Sequence, residues 1–329
     1  MKVLLDARMR EGGVGRYAED LRAGLESTGS DLTLHVVRGT WGRTFTPWGR
    51  AAIARRARRE NIDLIHGLHF ELPESADIQG VVTMPDAIPL EHPAAMPSPN
   101  RRSYFKTIVR QSADRAAAII TVSKLSAESL VRHGVPASKL QVIPLGVGRR
   151  FNPGDESLVQ EARRRFSEGA RYIATVADDK PHKNLDLLVD IAAGLPEVRL
   201  LCRGVTHRAL PQVTFLPPLS EEELRMFYVG AEALVLPSLI EGFGLPALEA
   251  AACGTPVVCG DEIGVREYLD GVKVVDVREP SSVVDAIKVL LSDPAERSAR
   301  SRHLSGSAQG MTIEKMARAT EAVYRGVLS

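Results

Sequence analysis

Short apolar segments alternate with longer amphipathic stretches along the whole chain, and this alternation constrains the fold more than any other feature. Lys2–Asp6 and Ile62–His66 have the length and character of buried strands, whereas Arg102–Ala113 and Lys124–His133 have the length and spacing of helices. Strands that alternate with helices form parallel sheets with helices on both faces. The pattern therefore predicts an α/β chain built on doubly wound sheets.

A cluster of proline and glycine interrupts the alternation between Pro144 and Gly154. Such a cluster is typical of a linker, and the alternation restarts beyond it with a strand at Tyr172–Val176. The 329 residues are enough for two domains. We therefore predict two Rossmann-like domains, residues 1–147 and 148–311. A ligand cleft is expected between them, because open α/β sheets bind ligands beyond the carboxyl ends of their strands.

The composition excludes several other classes of protein. Hydrophobic residues make up 44% of the chain and charged residues 25%, values typical of a globular enzyme and not of a disordered chain. The longest apolar runs are far shorter than the roughly 20 residues of a membrane-spanning helix, and the amino terminus has no apolar signal-peptide core. Three cysteines without zinc-like spacing favour a reducing compartment, so we expect a cytoplasmic protein.

The net charge of +1 conceals an uneven distribution. The densest basic segment, Arg38–Arg59, has seven arginines and no acidic residue, and Trp41, Phe45 and Trp48 lie within it. This segment is either a surface for an anionic membrane or anionic acceptor, or the solvated face of a helix that follows a loop. The nearly neutral balance of the whole chain argues against a nucleic-acid partner.

The most informative stretch lies between residues 236 and 258. A buried strand ends near Pro237, and a Gly-Phe-Gly loop then opens a helix with Pro246 in its first turn, where proline is tolerated. Backbone N–H groups at a helix start form an anion site, and glycine allows the close approach of a ligand. The sequence therefore predicts a diphosphate-binding turn at this helix start.

Two glutamates bracket this turn, Glu241 before it and Glu249 inside the helix. Eight helical residues span about 12 Å, which is longer than the separation of about 5–10 Å in a glycosidase carboxylate pair. Separate roles are therefore expected: Glu249 would accept hydrogen bonds from ribose hydroxyls, and Glu241 would meet the transferred group. The alternative is a strand–turn–helix unit with two solvated glutamates.

A signature across this turn resembles that of a known enzyme family. The run Glu-Gly-Phe-Gly-Leu-Pro-Ala-Leu-Glu at 241–249, followed by Cys-Gly-Thr-Pro-Val-Val at 253–258, closely resembles the nucleotide-sugar signature (E-x7-E) of the family 4 retaining glycosyltransferases. Further segments resemble the family in the same order along nearly the whole chain: Gly12–Tyr17, Thr121–Ser126, Val142–Val147 and Val176–Leu185.

The resemblance implies the GT-B architecture, in which two Rossmann-like doubly wound domains face a central cleft. Residues 1–147 would form the acceptor-side domain, and a terminal helix within residues 312–329 would pack back on it. Residues 148–311 would bind the nucleotide sugar. The implied reaction is the retaining transfer of a hexose-type sugar from a UDP- or GDP-sugar to a glycan, lipid-linked or small-molecule acceptor.

The family's residue roles carry over to matching positions of this sequence. Glu241 would contact the donor sugar and Lys183 would neutralise charge on the departing phosphate, so these two are the predicted catalytic residues. Glu249 would bind the ribose. No metal or other cofactor is expected, because a lysine and a helix dipole can stabilise the leaving group. The diphosphate would be held by backbone amides of Phe243, Gly244 and Leu245 and by the first glycine loop, with Gly13, Gly15 and the further candidate Arg16.

One departure from the family concerns the diphosphate. Many members have an arginine a few residues before the lysine, where this chain has Asp178 and Asp179. Two acids near a diphosphate repel it unless their side chains point away. Arg203 and Lys180 are the candidates to replace the missing arginine.

A second departure lies in the N-terminal domain, where many members have a His-Asp pair near the donor sugar. Here Pro85 stands where the histidine is expected, and only Asp86 remains. Proline offers no side-chain hydrogen bond. His66 and His69 are candidates to supply the missing imidazole from a neighbouring segment.

Two other functions are compatible with parts of the sequence. A nicotinamide-dependent oxidoreductase needs G-x-G-x-x-G directly after the first strand, but Ala18 stands at the third glycine. A catalytically weakened homologue, acting as a binding or scaffold subunit, is suggested by the two departures, and the retained Glu241, Lys183 and Glu249 argue against it. The expected partners are a nucleotide sugar and a carbohydrate or glycoconjugate acceptor, with peripheral contact at the inner face of an anionic membrane.

Overall fold

The structure is a computed structural model that describes residues 1–9, 12–39, 44–73, 75, 77–204, 206 and 208–329. These residues form two compact units: Met1–Gly146 together with Met311–Ser329, and Val147–Gly310. Trp41, part of the predicted basic patch, lies outside the described residues. No helix in the described part of the chain is long and apolar enough to cross a membrane.

Among the described residues, the first unit contains a parallel sheet of six strands: β1 (Lys2–Asp6), β2 (Thr33–Val37), β3 (Leu64–Gly67), β4 (Gln79–Thr83), β5 (Ala118–Thr121) and β6 (Leu140–Val142). β1 has the predicted ends, and β3 lies within two residues of the predicted strand Ile62–His66. Their order is β2-β1-β3-β4-β5-β6. Leu4 packs on one face of the sheet, and Val3 and Leu5 pack on the other. Since both faces are buried, the strands are continuous apolar runs.

Five helices accompany this sheet: α1 (Gly12–Ser27), α2 (Pro47–Arg59), α3 (Ile88–Glu91), α4 (Pro99–Arg115) and α5 (Lys124–Arg132). The basic segment contains a helix, α2, whose first turn is capped by Thr46, with Gly49 N–H donating to Thr46 Oγ1 at 3.2 Å. Trp48 is 76% exposed on this helix.

The predicted glycine loop before the first helix is wrong. Gly12, Gly13 and Gly15 all lie in the first turn of α1, and among the three only Gly12 has a left-handed φ, of 62°. Local glycine content predicts a loop, but the buried face of the helix, which includes Gly15, Tyr17 and Leu21, extends into this turn. Packing of that face against the sheet outweighs the poor helix propensity of glycine.

The second unit contains the other six-stranded parallel sheet: β7 (Tyr172–Val176), β8 (Arg199–Arg203), β9 (Val213–Leu216), β10 (Ala233–Leu236), β11 (Val257–Cys259) and β12 (Lys273–Val274). Their order, β12-β11-β10-β7-β8-β9, is the doubly wound order of Rossmann folds. Six helices accompany it: α6 (Glu156–Ser167), α7 (Leu187–Gly194), α8 (Glu221–Val229), α9 (Leu245–Ala252), α10 (Pro280–Ser292) and α11 (Pro294–Gln309).

Each sheet has a point where the strand order reverses. In the first unit, β2 and β3 lie on opposite sides of β1, and in the second, β8 and β10 lie on opposite sides of β7. The loops that follow the two central strands on either side of such a point diverge and leave a crevice. Ligands of open α/β sheets bind in this crevice, at the carboxyl ends of the strands.

The last helix, α12 (Ile313–Leu328), belongs to the first unit. Met316, Ala317 and Tyr324 are buried in the same core as α1 and β1. A Cβ at Gly24 would lie 2.7 Å from Ala317 Cβ, so only glycine at this position allows α1 and α12 to pack this closely.

A buried hydrogen-bond network joins α12 to the sheet. His66 Nδ1 lies 2.6 Å from Tyr324 Oη, His66 Nε2 lies 2.8 Å from Thr83 Oγ1, and Thr83 Oγ1 lies 3.1 Å from Tyr17 Oη. Both nitrogens of His66 are therefore occupied, and the residue is fully buried. This corrects the candidate role of His66 as a donor-site imidazole, because its ring is part of the core.

Burial lowers the pKa of His66 from 6.5 to about 3. The unfolded chain binds a proton on this imidazole below about pH 6.5 that the folded chain does not bind, so folding stability should fall as the pH is lowered from there towards 3. For one proton, the free energy of unfolding changes by at most about 1.4 kcal/mol per pH unit.

We expect the stability difference between the wild type and His66→Gln to narrow as the pH falls through this range, measured by urea denaturation at several pH values. His133→Gln, a change at a partly exposed histidine of the same unit, is the control. A difference between wild type and His66→Gln that is independent of pH would contradict the buried neutral state of His66.

Candidate functional site

An ion pair occupies the crevice of the second unit. Lys183 ends a short 3₁₀ turn after β7, and Glu241 lies in the loop after β10. Lys183 Nζ donates to Glu241 Oε1, and Ser238 Oγ donates to the same oxygen at 2.6 Å. The two charged side chains are 18% and 13% exposed, so the pair is shielded but reachable from solvent. The structure thus brings the two predicted catalytic residues into contact.

Backbone hydrogen bonds hold both segments of this pair in place. Glu241 N–H donates to Glu262 O at 2.9 Å, and Gly264 N–H donates to Glu241 O at 3.2 Å. The two segments also meet directly, because Leu239 N–H donates to His182 O at 2.8 Å. The ion pair is therefore positioned by the fold of its two loops and not only by its own charges.

Asn184 explains why the predicted helix after Lys183 starts later than expected. The sequence pattern predicts a helix over Asn184–Ala193, but Asn184 adopts a left-handed φ of 51° and α7 begins at Leu187. Its side chain Nδ2 donates to Val277 O at 3.1 Å, which fixes the turn that ends in Lys183.

The predicted helix start at Leu245 is confirmed. Gly244 has a φ of 95°, a conformation that favours glycine, and a Cβ there would lie 2.9 Å from Ile263 Cγ2. Phe243 is buried, and its carbonyl accepts from Val265 N–H at 2.7 Å. The turn therefore delivers the N-terminus of α9 to the crevice beside Glu241, where its backbone amides suit an anion.

Glu249 lies one turn into α9 and is only 5% exposed. Tyr228 Oη donates to its Oε2 at 2.9 Å. Burial and the neighbouring charge of Glu249 raise the pKa of Tyr228 well above 10, so the phenol stays protonated and donates. The alternative of two solvated glutamates is wrong, since Glu249 is buried and Glu241 is paired.

Arg203 ends β8 and lies near Tyr228 and Cys202. Burial raises the pKa of both groups, and the positive charge of Arg203 opposes that rise. Its Nε is buried and has no hydrogen-bond partner among the described residues. An arginine beside the Glu249–Tyr228 pair with an unused donor is well placed to meet a bound anion.

The two aspartates that replace the family's arginine have their own neighbours. Asp179 Oδ1 lies 3.6 Å from Arg208 Nη1, and Thr206 Oγ1 donates to its Oδ2 at 3.2 Å. Arg208 also contacts Asp186. The charge of Asp179 is therefore compensated within the unit. Asp178 is partly buried, and its charge contributes to raising the pKa of Cys202.

The candidates from the first unit have other contacts. Gly13 and Gly15 lie in the first turn of α1, where a Cβ at Gly13 would have no atom within 4 Å. Arg16 Nε donates to Asp20 Oδ2 at 2.9 Å. Asp86 Oδ1 accepts from Ile88 N–H at 2.9 Å, at the start of α3.

Sequence reasoning missed three side chains of this site: Ser238, Tyr228 and Arg208. Ser238 precedes Glu241 by three residues, a spacing that could have suggested a loop hydrogen bond. Tyr228 and Arg208 have no local signal, because their partners lie 21 or more residues away along the chain. Among the described residues, no group of three His, Cys, Asp or Glu side chains is arranged to hold a metal ion.

Two family descriptions match the chain, one in each half. Residues 11–149 match Glycosyltransferase Family 4, and residues 159–303 match Glycosyl transferases group 1. Between them these matches span most of the chain, and each falls largely within one structural unit.

The chain is also similar to curated proteins. It is 35% identical over 219 residues to a D-inositol 3-phosphate glycosyltransferase of Mycobacterium sp. (strain JLS), a match that covers 60% of this chain and 49% of that protein. A protein of the same name from Mycobacterium tuberculosis (strain ATCC 25177 / H37Ra) is 32% identical over 217 residues, which cover 59% of this chain and 44% of the relative. The chain thus spans about half the length of the curated relatives it matches.

Solved structures share the fold over nearly the whole chain. Sucrose-phosphate synthase from Thermosynechococcus elongatus superimposes with a TM-score of 0.84 at 20% identity, and 99% of each chain is covered. HepE of Anabaena, in complex with UDP and glucose, gives 0.78 at 15% identity, again over 99% of each chain. These likenesses show the fold, and with the family descriptions they confirm the resemblance seen in the sequence. The chain belongs to the family 4 glycosyltransferases and has their two-domain, Rossmann-like GT-B fold.

Proposed function

We propose that the chain is a retaining hexosyltransferase that moves a sugar from a UDP- or GDP-sugar to a hydroxyl of a glycan, lipid-linked or small-molecule acceptor. The observation that carries this proposal is the contact between Lys183 and Glu241 in the crevice of the second unit, beside the N-terminus of α9. The names of the curated relatives, and the UDP and glucose bound to HepE, support it.

Lys183 supplies the positive charge that the departing nucleoside diphosphate needs. Negative charge grows on the diphosphate as the bond to the sugar breaks, and only interactions that strengthen in that transition state accelerate the reaction. The ammonium group is partly buried, so its field is less screened than in water. Together with the N-terminus of α9 it can act in place of a metal ion, and we propose a metal-independent reaction.

Glu241 contacts the transferred sugar. Its Oε1 already accepts from Lys183 and Ser238, so the carboxylate is oriented before a donor binds. Its contact with Lys183 places the groups that bind the sugar and the diphosphate side by side. This order matches the order of sugar and phosphate in the donor.

Glu249 and Arg203 hold the rest of the donor. The Glu249 carboxylate, oriented by Tyr228, accepts hydrogen bonds from the ribose hydroxyls. Arg203, whose Nε has no partner among the described residues, takes the place of the family's missing arginine on the diphosphate. In this chain an aspartate stands where many family members have an arginine. Because Arg208 compensates the charge of Asp179, this aspartate does not prevent diphosphate binding.

The first unit carries the acceptor and the contact with an anionic surface. Trp48 is 76% exposed on the arginine-rich α2, and Tyr104 is 43% exposed on α4, which carries further basic residues. Tyr104 Oη donates to Phe45 O at 2.9 Å, which links α4 to the segment just before α2. Exposed aromatic side chains among basic ones are typical of peripheral contact with an anionic membrane.

A binding or scaffold role without catalysis is the second candidate. The replaced arginine and histidine favour it. The oriented Glu241, its contact with Lys183 and the buried Glu249 favour an enzyme, since a binding subunit has no need of a lysine held against the sugar-binding carboxylate.

Turnover should depend strongly on Lys183. With UDP-glucose or GDP-mannose and a panel of sugar acceptors in EDTA, we expect release of the nucleoside diphosphate and a product with the donor's anomeric configuration, read by proton NMR. Lys183→Ala should lower kcat by about 10²–10³, the effect of removing one transition-state contact.

Lys288→Ala, an exposed change on α10, is the matched control and should leave kcat unchanged. If none of the donors releases a nucleoside diphosphate in any assay, the enzyme proposal is wrong and the scaffold role gains support. A product in which the anomeric configuration of the sugar is inverted would contradict the retaining mechanism but not the transferase activity.

Glu249→Ala should weaken nucleotide binding more than it slows turnover at saturation. A hydrogen bond to a charged group contributes about 1.5–3 kcal/mol, so the Kd for the nucleoside diphosphate should rise about 10- to 150-fold in calorimetric titration. Glu222→Ala, at an exposed glutamate of α8, is the control. Equal affinity of Glu249→Ala and the wild type would overturn the ribose assignment.

A further inference from the structure

A buried cluster of charged side chains lies at the strand-order reversal of the first unit. Asp6 ends β1, and Arg8 donates to both of its carboxylate oxygens, from Nε at 2.7 Å and from Nη2 at 2.6 Å. The same Nη2 donates to Glu71 Oε2 at 3.1 Å, and Phe45 N–H donates to that oxygen at 2.9 Å. The Arg8, Asp6 and Glu71 side chains are at most 5% exposed. Burying charged groups costs free energy unless ion pairing and hydrogen bonds offset the loss of hydration.

The cluster has donors and acceptors that the protein does not satisfy. Glu71 Oε1 and Arg50 Nη1 lie 3.7 Å apart, beyond hydrogen-bonding distance, and both are buried with no hydrogen-bond partner among the described residues. Glu71 is 3% exposed and Arg50 is 9% exposed. Burial raises the pKa of Glu71 against the opposing effect of Arg8 and Arg50. An unsatisfied buried carboxylate oxygen is costly unless a ligand or a water completes it.

His69 presents a third unsatisfied atom. Its Nδ1 is buried and has no hydrogen-bond partner among the described residues. The ring is held edge-on between Phe45 and Phe70, with ring centroids 5.7 and 4.7 Å away. Burial lowers its pKa to about 4, so the imidazole is neutral near pH 7 and can donate or accept a hydrogen bond.

The two phenylalanines that contact His69 have a strained backbone. Phe45 has a φ of 58° and Phe70 a φ of 54°, a conformation that bulky side chains rarely adopt. Each such residue costs on the order of 1–3 kcal/mol and persists only where its surroundings impose it. The rings of both strained residues contact the ring of His69, so two strained backbone positions meet at this imidazole.

These groups surround a small recess of about 10 Å³ lined by Asp6, Met9, Thr44, Leu68, His69 and Glu71. Its volume matches one oxygen-sized group. Asp6 ends β1 and Leu68 follows β3, so the recess lies in the crevice between these two strands. This is the position at which open α/β sheets bind ligands.

We propose that this recess is an acceptor subsite that binds one hydroxyl of a polyhydroxylated molecule, such as a cyclic polyol or a sugar. The hydroxyl donates to Glu71 and exchanges a second hydrogen bond with His69 Nδ1, while the apolar edge of the ligand lies near the Phe45 ring. Arg8 and Arg50 balance the two carboxylates, so no excess of positive charge favours a phosphate or carboxylate here. As an acceptor assignment the inference rests on the proposed transferase function, whereas polyol binding at this site is testable on its own.

The direct test is the affinity of the full chain for myo-inositol and D-glucose, measured by saturation-transfer NMR without donor. Saturable binding of at least one of them is expected, and cyclohexanol, which offers a single hydroxyl on an otherwise apolar ring, should bind more weakly. His69→Phe keeps the aromatic packing and removes Nδ1, so it should weaken binding about tenfold. His69→Asn, whose amide can occupy part of the place of Nδ1, should restore part of the loss.

Glu71→Gln tests the carboxylate, but it also alters the contact with Arg8, so its fold must be checked by circular dichroism. His133→Phe, at a partly exposed histidine of the same unit, is the control and should bind as the wild type does. The inference is overturned if neither probe binds the wild type, or if His69→Phe and Glu71→Gln bind as well as it does. A crystal grown in the presence of the probe that shows only an ordered water in the recess would also overturn it.

Kinetics separate this inference from the proposed function. If the chain is a transferase, the subsite predicts that His69→Phe raises the acceptor KM about tenfold and leaves the donor KM unchanged, whereas the donor-site role that the sequence suggested for His69 predicts a rise in the donor KM. If the wild type releases no nucleoside diphosphate with or without an acceptor, the proposed function is contradicted, while polyol binding that depends on His69 would still support the subsite. Equal losses in donor hydrolysis and transfer for His69→Phe would contradict the subsite alone.

Discussion

The contact between Lys183 and Glu241 is the interaction on which the functional account depends. The two residues are 58 positions apart, and they meet because β7 and β10 are neighbours at the point where the strand order of the second unit reverses. Ser238 and the backbone bonds to residues 262 and 264 fix the carboxylate before any ligand arrives. Electrostatic stabilisation of a leaving group requires charged groups that are already oriented. The Lys183 ammonium and the Glu241 carboxylate meet this requirement, since neither has to reorganise during the reaction.

The same topological feature accounts for the polar groups of the first unit. There the reversal lies between β1 and β3, and the residues placed beside it are Asp6, His69 and Glu71. Each unit thus has an apolar core around its central strand and charged side chains at the carboxyl edge beside the reversal. In the second unit the charges are one cation and one anion open to a ligand, which suits a diphosphate sugar. In the first they are balanced and nearly enclosed, which suits a neutral hydroxyl.

Much of the fold could be predicted from the sequence, because apolar runs bounded by glycine or proline give local signals. β1 and β7 have the predicted ends, and α9 begins at the predicted turn. Lys183 lies in the turn after β7, Glu241 in the loop after β10 and Glu249 in α9, and the roles that the resemblance implies for them stay predictions. The rest depends on distant partners. His66 looked like a site residue because Tyr324, its partner 258 positions away, has no local signal. The helical start of α1 was missed because packing of its buried face outweighs glycine propensity. The Arg208–Asp179 pair was missed because its two residues lie in loops that follow different strands, β8 and β7.

Binding of a nucleoside diphosphate without metal tests the central claim most directly. Calorimetric titration of the full chain with UDP, GDP and ADP in EDTA, repeated with Lys183→Ala, measures the affinity that the second unit supplies through its own charges. The account predicts that one of the three binds, that the corresponding monophosphate binds more weakly, and that Lys183→Ala reduces the preference for the diphosphate. Absence of binding, binding only after Mg²⁺ is added, or an unchanged preference in Lys183→Ala would contradict it.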